Sequence, residues 1–177
     1  MPFLYVLCEG DDDQRFFDHA VQPQLPHAEH EVDYFQHVQY SPEDVRNLIH
    51  SIEGIQAHGI DATYLFLRDF DRAPCKEFHF DEIDQKYDSL ISRDRTFLVI
   101  QMIESWYAAG LSRQRSEEML GRPLQRTDEL TKERFNNLLP EDASRIDFMQ
   151  RLLEHFDVSR ARTTNRSFEY FCSNVLD

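Results

Sequence analysis

Hydrophobic positions in the first part of the chain form short unbroken runs that are separated by helically spaced ones. Unbroken runs over 3–8 (FLYVLC), 62–67 (ATYLFL) and 96–103 (TFLVIQMI) are typical of strands buried on both faces, and residues 31–38 alternate weakly. Between these runs, apolar residues recur at the spacing of one helix face. The order β-α-β-α-β-α-β predicts an α/β fold, a mostly parallel four-stranded sheet flanked by helices.

Helix signals place three helices between these strands. The first covers 12–21 and carries acidic residues in its first turn, where the helix dipole favours them. The second begins at Pro42 after Ser41, a candidate N-cap, and ends before Gly59. The third is a short acidic helix over 82–92.

Beyond residue 105 the hydrophobic pattern is helical only. We predict helices over 106–109, 116–120, 132–139, 144–156 and 167–176. The chain is therefore expected to comprise an α/β core over 1–110 and a helical C-terminal extension over 111–177 that packs on the core.

The composition is that of a globular and strongly acidic protein. The 177 residues suit one domain with a substantial core, and 41% apolar residues with 14 phenylalanines exclude a disordered chain. The net charge of −14 argues against a protein that grips a nucleic-acid backbone over its whole surface. Residues 1–110 hold 8 basic and 21 acidic side chains, whereas residues 111–177 hold 11 and 12. The acidic excess is either a solvated surface or a set of carboxylates collected to hold a cation.

The sequence shows no membrane or secretion signal. No apolar run approaches the roughly 18 residues that a membrane span requires. Cys8, Cys75 and Cys172 show no spacing that indicates a disulfide framework or a zinc site. We expect a cytoplasmic protein without a membrane partner.

Carboxylates follow three of the predicted strands. Glu9 and Asp13 come after the first strand, Asp69 and Asp71 after the third, and Glu104 after the fourth. Because the carboxyl ends of parallel strands meet at one edge of a sheet, these side chains are expected to converge there. Crowded carboxylates repel one another unless a hard cation neutralises them, and one or two Mg²⁺ or Mn²⁺ ions suit such ligands. Such ions can activate water for phosphodiester hydrolysis.

Each of these features also has a structural explanation. The acids at 11–13 suit a helix N-terminus, Asp69 and Asp71 suit a turn or cap, and Glu104 could pair with an arginine. Eight histidines are scattered without a metal-binding spacing. Trp106 is better suited to packing a helix onto the sheet than to stacking a nucleic-acid base.

Arginines of the C-terminal part are candidates for contacts with phosphate groups. The four that we assign to nucleic-acid binding are Arg113, Arg115, Arg162 and Arg166. The alternative is that they pair with the Glu and Asp side chains interspersed among them.

Two segments resemble the TOPRIM family. Residues 4–13 (LYVLCEGDDD) are similar to its strand-Glu-Gly-x-x-Asp opening, and residues 65–71 (LFLRDFD) to its later DxD motif. Residues 100–109 (IQMIESWYAA), and more faintly 162–171, are similar to a small OLD-like TOPRIM family. The resemblance implies a TOPRIM/Rossmann-like fold and a Mg²⁺-dependent phosphoryl-transfer site. It makes Glu9 a metal ligand or general base, and Asp13, Asp69 and Asp71 ligands, while Glu104 matches an acidic position of the OLD-like set.

The expected function is a metal-dependent nuclease acting on DNA or RNA, with Glu9 and Asp69 as its catalytic residues. The chain shows no assignable topoisomerase tyrosine, ATPase P-loop or primase zinc module, so we expect a free-standing nuclease or an effector recruited by a sensor or ATPase partner. A role in defence against phage comes from the resemblance alone. Two alternatives stay open, a non-catalytic TOPRIM-like partner-binding subunit and a phosphohydrolase or phosphotransferase acting on a nucleotide.

Overall fold

The computed structural model describes residues 2–26, 31–70 and 75–177. Contacts within the chain divide it into two compact units. The first unit comprises Met1–Gln14 and His27–Leu98, and the second comprises Arg15–Pro26 and Val99–Asp177. Each unit therefore takes segments from two separate parts of the chain.

Four strands form one parallel sheet, which confirms the predicted α/β fold. They are β1 (Phe3–Cys8), β2 (Glu31–Gln36), β3 (Ala62–Phe70) and β4 (Thr96–Ile100), and their order is β2-β1-β3-β4. Cys8 of β1 lies opposite Gln36 of β2, so these two strands end at the same level. Because Leu7 lies opposite Phe66, β3 continues past the end of β1.

The strand order reverses beside β1. The chain first adds β2 on one side of β1 and then crosses to add β3 on the other side. In open parallel sheets, ligands bind outside the carboxyl ends of the strands at such a reversal. The expected binding position in this sheet is therefore next to the carboxyl ends of β1 and β3.

The second predicted helix is confirmed almost residue for residue. Helix α2 covers Pro42–Ala57, and the Ser41 hydroxyl accepts a hydrogen bond from the amide of Asp44. The Asp44 carboxylate in turn accepts from the amide of Ser41, which completes a reciprocal cap. Gly59 adopts a positive φ of 79° just beyond the helix. The helix buries Val45, Ile49 and Ile52 in the core of the first unit.

The first predicted helix has a mixed geometry. Helix α1 covers Asp11–Phe16, a π-helical turn follows over Phe17–Val21, and a 3₁₀ turn covers Gln22–Gln24. Phe16, Phe17 and Val21 are buried, as the helical spacing predicts.

Two predicted elements end earlier than expected where non-glycine residues adopt positive φ. Helix α3 covers Lys76–Lys86 rather than 82–92, since Asp88 and Ser89 have φ of 53° and 58° and stop it early. Strand β4 ends at Ile100 rather than 103, because Gln101 has φ of 64° and turns the chain. Glu104 therefore lies in the first turn of a helix and not directly at a strand end.

The second unit is helical. Its helices are α4 (Ile103–Ala109), α5 (Arg113–Leu120), α6 (Lys132–Asn136), α7 (Arg145–Glu154), α8 (Val158–Thr164) and α9 (Arg166–Val175). Helix α8 was not expected from the sequence. In the described part of the chain, no helix combines the length and apolar character needed to cross a membrane.

Aromatic rings fill the core of the second unit. The ring centroid of Phe16 lies 5.2 Å from those of Tyr107 and Phe156 and 5.6 Å from that of Trp106. Trp106 is 1% exposed and donates its indole N–H to the Ser167 hydroxyl at 2.8 Å. Trp106 is therefore a packing residue, and its ring is not available to stack a nucleic-acid base.

Candidate functional site

Glu9 and Asp69 meet at the carboxyl ends of β1 and β3. The Asp69 amide donates a hydrogen bond to Glu9 Oε1 at 3.3 Å, and both residues are half-buried. The two strands are neighbours in the sheet, so the contact follows from strand pairing and not from a flexible loop. The Glu9 carboxylate and the backbone of Asp69, from distant parts of the sequence, thus meet beside the reversal of strand order.

Asp13 is held close to the end of β1 by the turn that follows it. Its Oδ2 accepts a hydrogen bond from the Gly10 amide at 2.9 Å, and the side chain is 5% exposed. The Gln14 amide donates to the Gly10 carbonyl at 3.3 Å, so Gly10 opens the helical segment. Asp13 thus caps the start of a helix, as its structural explanation expects. It is four residues from Glu9 in the sequence.

The Cys8 thiol at the end of β1 is buried and lies near the negative charges of Asp13 and Asp11. Burial, with a smaller contribution from the negative charges of Asp13 and Asp11, raises the pKa of Cys8 to about 12. The thiol is therefore protonated near neutral pH and does not supply a thiolate nucleophile. The same negative charges favour the approach of a cation.

The other two predicted metal ligands are placed differently. Asp71 lies outside the described residues, so its role stays a prediction. Glu104 belongs to the second unit, is 3% exposed and forms an ion pair with Arg145. The arginine partner matches the structural explanation of Glu104, and its role as a ligand also stays a prediction.

The carboxylates at the sheet edge suit Mg²⁺ or Mn²⁺ by their chemistry. Among the residues that the structure describes, no three or more His, Cys, Asp or Glu side chains are grouped to hold a metal ion. Mg²⁺ usually keeps several waters and is bound through only one or two carboxylates together with substrate phosphate. Glu9, whose carboxylate lies at this edge and accepts from the Asp69 amide, fits that mode of binding as one such carboxylate.

The four predicted nucleic-acid arginines differ in how firmly they are paired. Arg162 binds the carboxylates of Glu169 and Asp177, each at 2.7 Å, and these hydrogen bonds raise its pKa. Arg115 binds Glu118 at 2.9 Å, whereas Arg166 lies 3.5 Å from Asp128 and is 72% exposed. Arg113 is exposed. Arg113 and Arg166 are therefore the pair best placed to contact a phosphate.

Asn165 and Ser167, in the segment with the faintest family resemblance, form a buried network. The Asn165 amide donates to the hydroxyls of Ser105 at 3.2 Å and Thr127 at 3.0 Å, and the Ser167 hydroxyl donates to Asn165 Oδ1 at 2.8 Å. Asn165 Oδ1 also accepts from the Phe168 amide, which caps α9. These hydrogen bonds give both residues a structural role in the second unit.

A cavity of about 320 Å³ adjoins the carboxyl edge of the sheet in the first unit. Its walls come from the residues that follow β1 and β2, from β3 and from the end of α3; they include Glu9, His37, Phe66, Arg68, Lys86 and Tyr87. Side chains alternate along a strand, so Phe66 and Arg68 share the cavity face of β3 while Asp69 belongs to the other face. Glu9 lines the cavity and also accepts the Asp69 hydrogen bond, so it is common to both places.

His37 is a buried and neutral histidine on the wall of this cavity. Its ring is 3% exposed and stacks on Phe66 with centroids 4.4 Å apart. Nε2 lies 3.0 Å from the Leu67 carbonyl and donates to it, which leaves Nδ1 as an acceptor. Burial, with a smaller contribution from the positive charges of Lys86 and Arg68, lowers the pKa of His37 to about 4. In the described part of the chain, neither Nδ1 nor the buried Tyr87 hydroxyl has a hydrogen-bond partner.

Sequence reasoning missed His37, Arg68 and Lys86. His37 directly follows β2, and Arg68 is the third residue from the end of β3. The strand-end rule that selected Glu9 and Asp69 could therefore also have selected them. Lys86 was hidden by the misplaced bounds of α3.

Comparisons of the chain with protein-family models, curated proteins and solved structures give no match.

Proposed function

We propose that the chain is a nuclease that hydrolyses phosphodiester bonds with Mg²⁺ or Mn²⁺. The observation that carries the proposal is the hydrogen bond between Glu9 and Asp69 at the reversal of strand order, where parallel sheets bind ligands. The negative charges of Asp11 and Asp13 near the end of β1 support the proposal, and so do the TOPRIM-like motifs at the ends of β1 and β3.

The carboxylates of the first unit supply the metal ligands and the base. Glu9 and Asp69 would hold the ion, with Asp13 and Asp71 as further ligands. When bound, such an ion acidifies a water molecule and stabilises the leaving oxygen. Glu9 accepts the proton of the attacking water, and the bond from the Asp69 amide fixes the orientation of its carboxylate. Arg113 and Arg166, the less firmly paired arginines, contact substrate phosphates, with Arg115 and Arg162 more distant candidates.

The proposed setting is the cytoplasm, with DNA or RNA as the substrate. The net charge of −14 opposes nucleic acid until cations neutralise the sheet edge, so activity is expected to depend strictly on the metal. The OLD-like resemblance adds a proposed role in defence against phage, with a sensor or ATPase protein recruiting the chain.

The first prediction concerns Glu9 and Asp69. In Mg²⁺ or Mn²⁺, Glu9→Gln and Asp69→Asn are each expected to lower the rate of DNA or RNA cleavage about 10²–10⁴-fold, since each removes a charged ligand or the base. Cleavage is measured on labelled single- and double-stranded substrates, and circular dichroism verifies the fold of each variant.

Glu31→Gln is the matched control, because Glu31 is an exposed acid at the opposite end of the sheet, where β2 begins. Its cleavage rate should equal that of the wild type. Full activity in both site variants would refute the proposed function.

The second candidate is phosphoryl transfer on a free nucleotide. It is favoured by the cavity beside Glu9, which carries Arg68 and Lys86 on its wall. Incubating the protein and metal with nucleoside mono- and triphosphates, alongside DNA and RNA, separates the two reactions by their products. A chain that binds no Mg²⁺ or Mn²⁺ at millimolar concentration would instead indicate the non-catalytic, partner-binding alternative.

A further inference from the structure

Two residues that line the cavity in the first unit, His37 and Tyr87, each have a buried polar atom that the described residues do not satisfy. His37 donates through Nε2 to the Leu67 carbonyl, which fixes the tautomer and leaves the lone pair of Nδ1 as an acceptor. That atom has no hydrogen-bond partner in the described part of the chain, and His37 is only 3% exposed. Buried acceptors in native proteins are nearly always paired, so this one indicates a donor from outside the described residues.

The charges on the wall call for a ligand that has both an anionic and a neutral polar part. Arg68 and Lys86 supply two positive charges, and Glu9 and Glu82 supply two negative ones. Arg68 binds Glu82 at 2.8 Å through one nitrogen of a guanidinium that has five N–H donors. Lys86 is exposed, and its ammonium lies 5.1 Å from the ring centroid of its neighbour Tyr87. A simple anion would gain the two cations but leave His37 Nδ1 without a donor.

The size and the apolar part of the wall limit the ligand further. The volume of about 320 Å³ lies at the low end of the roughly 300–1,000 Å³ of small-molecule sites. Val38, whose side chain is 54% exposed, gives the cavity an apolar side, whereas Phe66 is 0% exposed and stacks on His37. A flat ring can lie against such a side while polar groups reach the opposite wall.

We propose that this cavity binds one nucleotide unit, with its phosphate facing Lys86 and Arg68 and a donor of its base or sugar facing Nδ1 of His37. The proposal deepens the proposed nuclease and rests on it for the choice of a nucleotide as the ligand. Since Glu9 lines the cavity and also contacts Asp69, the bound unit is the neighbour of the phosphodiester that is cleaved.

The test is a calorimetric titration of the full chain in EDTA, so that binding is measured without metal and without cleavage. The probes are ribo- and deoxyribonucleoside 5′-monophosphates, the matching nucleosides, inorganic phosphate, and short DNA and RNA strands. Lys86→Ala is expected to weaken nucleotide binding about tenfold, through the loss of one charge-assisted hydrogen bond. Lys76→Ala is the matched control, because Lys76 is an exposed lysine at the other end of α3 and should bind as the wild type does.

A second readout does not depend on a substitution. The ring-nitrogen NMR signals of His37 in the wild-type chain should shift when a nucleoside monophosphate binds, because Nδ1 gains a hydrogen bond. No nucleotide binding, equal binding by the Lys86→Ala variant, an unmoved His37 signal, or inorganic phosphate binding as tightly as nucleotide would each overturn the proposal.

The experiment separates this proposal from the nuclease itself. Metal-dependent cleavage without nucleotide binding in EDTA would remove the subsite and leave the nuclease standing. Binding of nucleotides without any cleavage would support the subsite and contradict the nuclease. Preference for free monophosphates over the DNA and RNA strands would assign the ligand to a small molecule, and preference for the strands would assign it to a nucleic-acid end.

Discussion

The buried and neutral His37 makes the stability of the folded chain depend on pH in the acid range. Burial lowers its pKa to about 4 from the ordinary 6.5, and the nearby charges of Lys86 and Arg68 add to the effect, although the Leu67 carbonyl opposes it. Glu9 and Glu82 line the same cavity and carry the opposite charge. The folded chain thus keeps the imidazole neutral under conditions in which an exposed histidine is protonated.

The sign of the resulting pH dependence follows directly. Between pH 6.5 and 4 the unfolded chain binds a proton at His37 and the folded chain does not, so the free energy of unfolding falls as the pH falls through this window. The full contribution is on the order of 3 kcal/mol. Urea unfolding at pH 7 and pH 5 should show a smaller loss of stability for His37→Gln than for the wild type.

His58→Gln serves as the control, since His58 is exposed, and its loss of stability should equal that of the wild type. An equal pH dependence for the wild type and His37→Gln would contradict the assignment.

At the level of single residues, the sequence predicted candidate site residues where an acidic side chain follows the end of a predicted strand. Glu9 and Asp69 were predicted together because parallel strands bring their carboxyl ends to one edge, and the structure joins them by a hydrogen bond. His37 also follows a strand end, but its neutral state could not be predicted, because it depends on the ring of Phe66 and the carbonyl of Leu67, which come from a different strand. The pairing of Glu104 with Arg145 could be imagined from the sequence but not chosen over a metal ligand.

Among the secondary-structure elements, α2 has the clearest local determinants. Ser41 and Asp44 exchange hydrogen bonds at its N-terminus, Pro42 occupies its first position, and Gly59 follows its end. All of these are visible in the sequence, so the bounds of α2 could be predicted without any knowledge of tertiary contacts.

The cap of α2 gives a prediction about stability. Ser41→Ala should lower the free energy of unfolding by about 1 kcal/mol, because it leaves the Asp44 amide without its acceptor. Ser51→Ala is the control, since Ser51 is an exposed serine inside the same helix whose hydroxyl donates only to the Asn47 carbonyl. Urea unfolding of both variants measures the difference, and equal stabilities of the two would show that the cap contributes nothing.

The elements that the sequence misplaced lack such local determinants. Helix α3 and strand β4 end beside Asp88, Ser89 and Gln101, which adopt left-handed conformations that are usual for glycine. A tertiary contact lies close to the first of these turns, where the Ser92 amide donates to the Tyr64 hydroxyl at 2.9 Å. No pattern within a short window of sequence reports such a contact.

Across the whole molecule, charge is the property that separates the two units most sharply. The first unit holds 7 basic and 19 acidic residues, and the second holds 12 and 14. The first unit therefore carries most of the net charge of −14 and all the described sheet-edge acids. Repulsion among these carboxylates destabilises the folded chain and is relieved by screening or by bound cations.

Screening and specific metal binding should be distinguishable by thermal unfolding. Raising NaCl from about 0.01 M to about 0.1 M shortens the Debye length from about 30 Å to about 10 Å, so Tm should rise by a few degrees. At matched ionic strength, millimolar Mg²⁺ should raise Tm further, because a ligand that binds only the folded chain stabilises it. Glu9→Gln should keep the NaCl effect and lose the additional Mg²⁺ effect; a variant that keeps both would place the bound metal elsewhere.

The two compact units do not coincide with the two parts that hydrophobic periodicity predicts. The pattern separates strand-bearing from helical segments near residue 110, whereas contacts divide the chain after Leu98 and assign Arg15–Pro26 to the helical unit. Hydrophobic periodicity identifies the type of each element and its buried face. It does not predict which buried faces pack together. The packing of Phe16 with Phe156 and Phe168 could therefore not be predicted from the sequence.

The early position of Phe16 and Phe17 has a consequence for synthesis of the chain. Both rings are 1% exposed in the finished protein, and their neighbours include Trp106, Phe168 and Phe171. On the ribosome, the two phenylalanines emerge long before these neighbours are translated. The nascent chain must therefore carry an uncovered aromatic segment until its last helix is made. Any fragment that stops after the sheet retains that segment permanently, which favours chaperone binding and aggregation over folding.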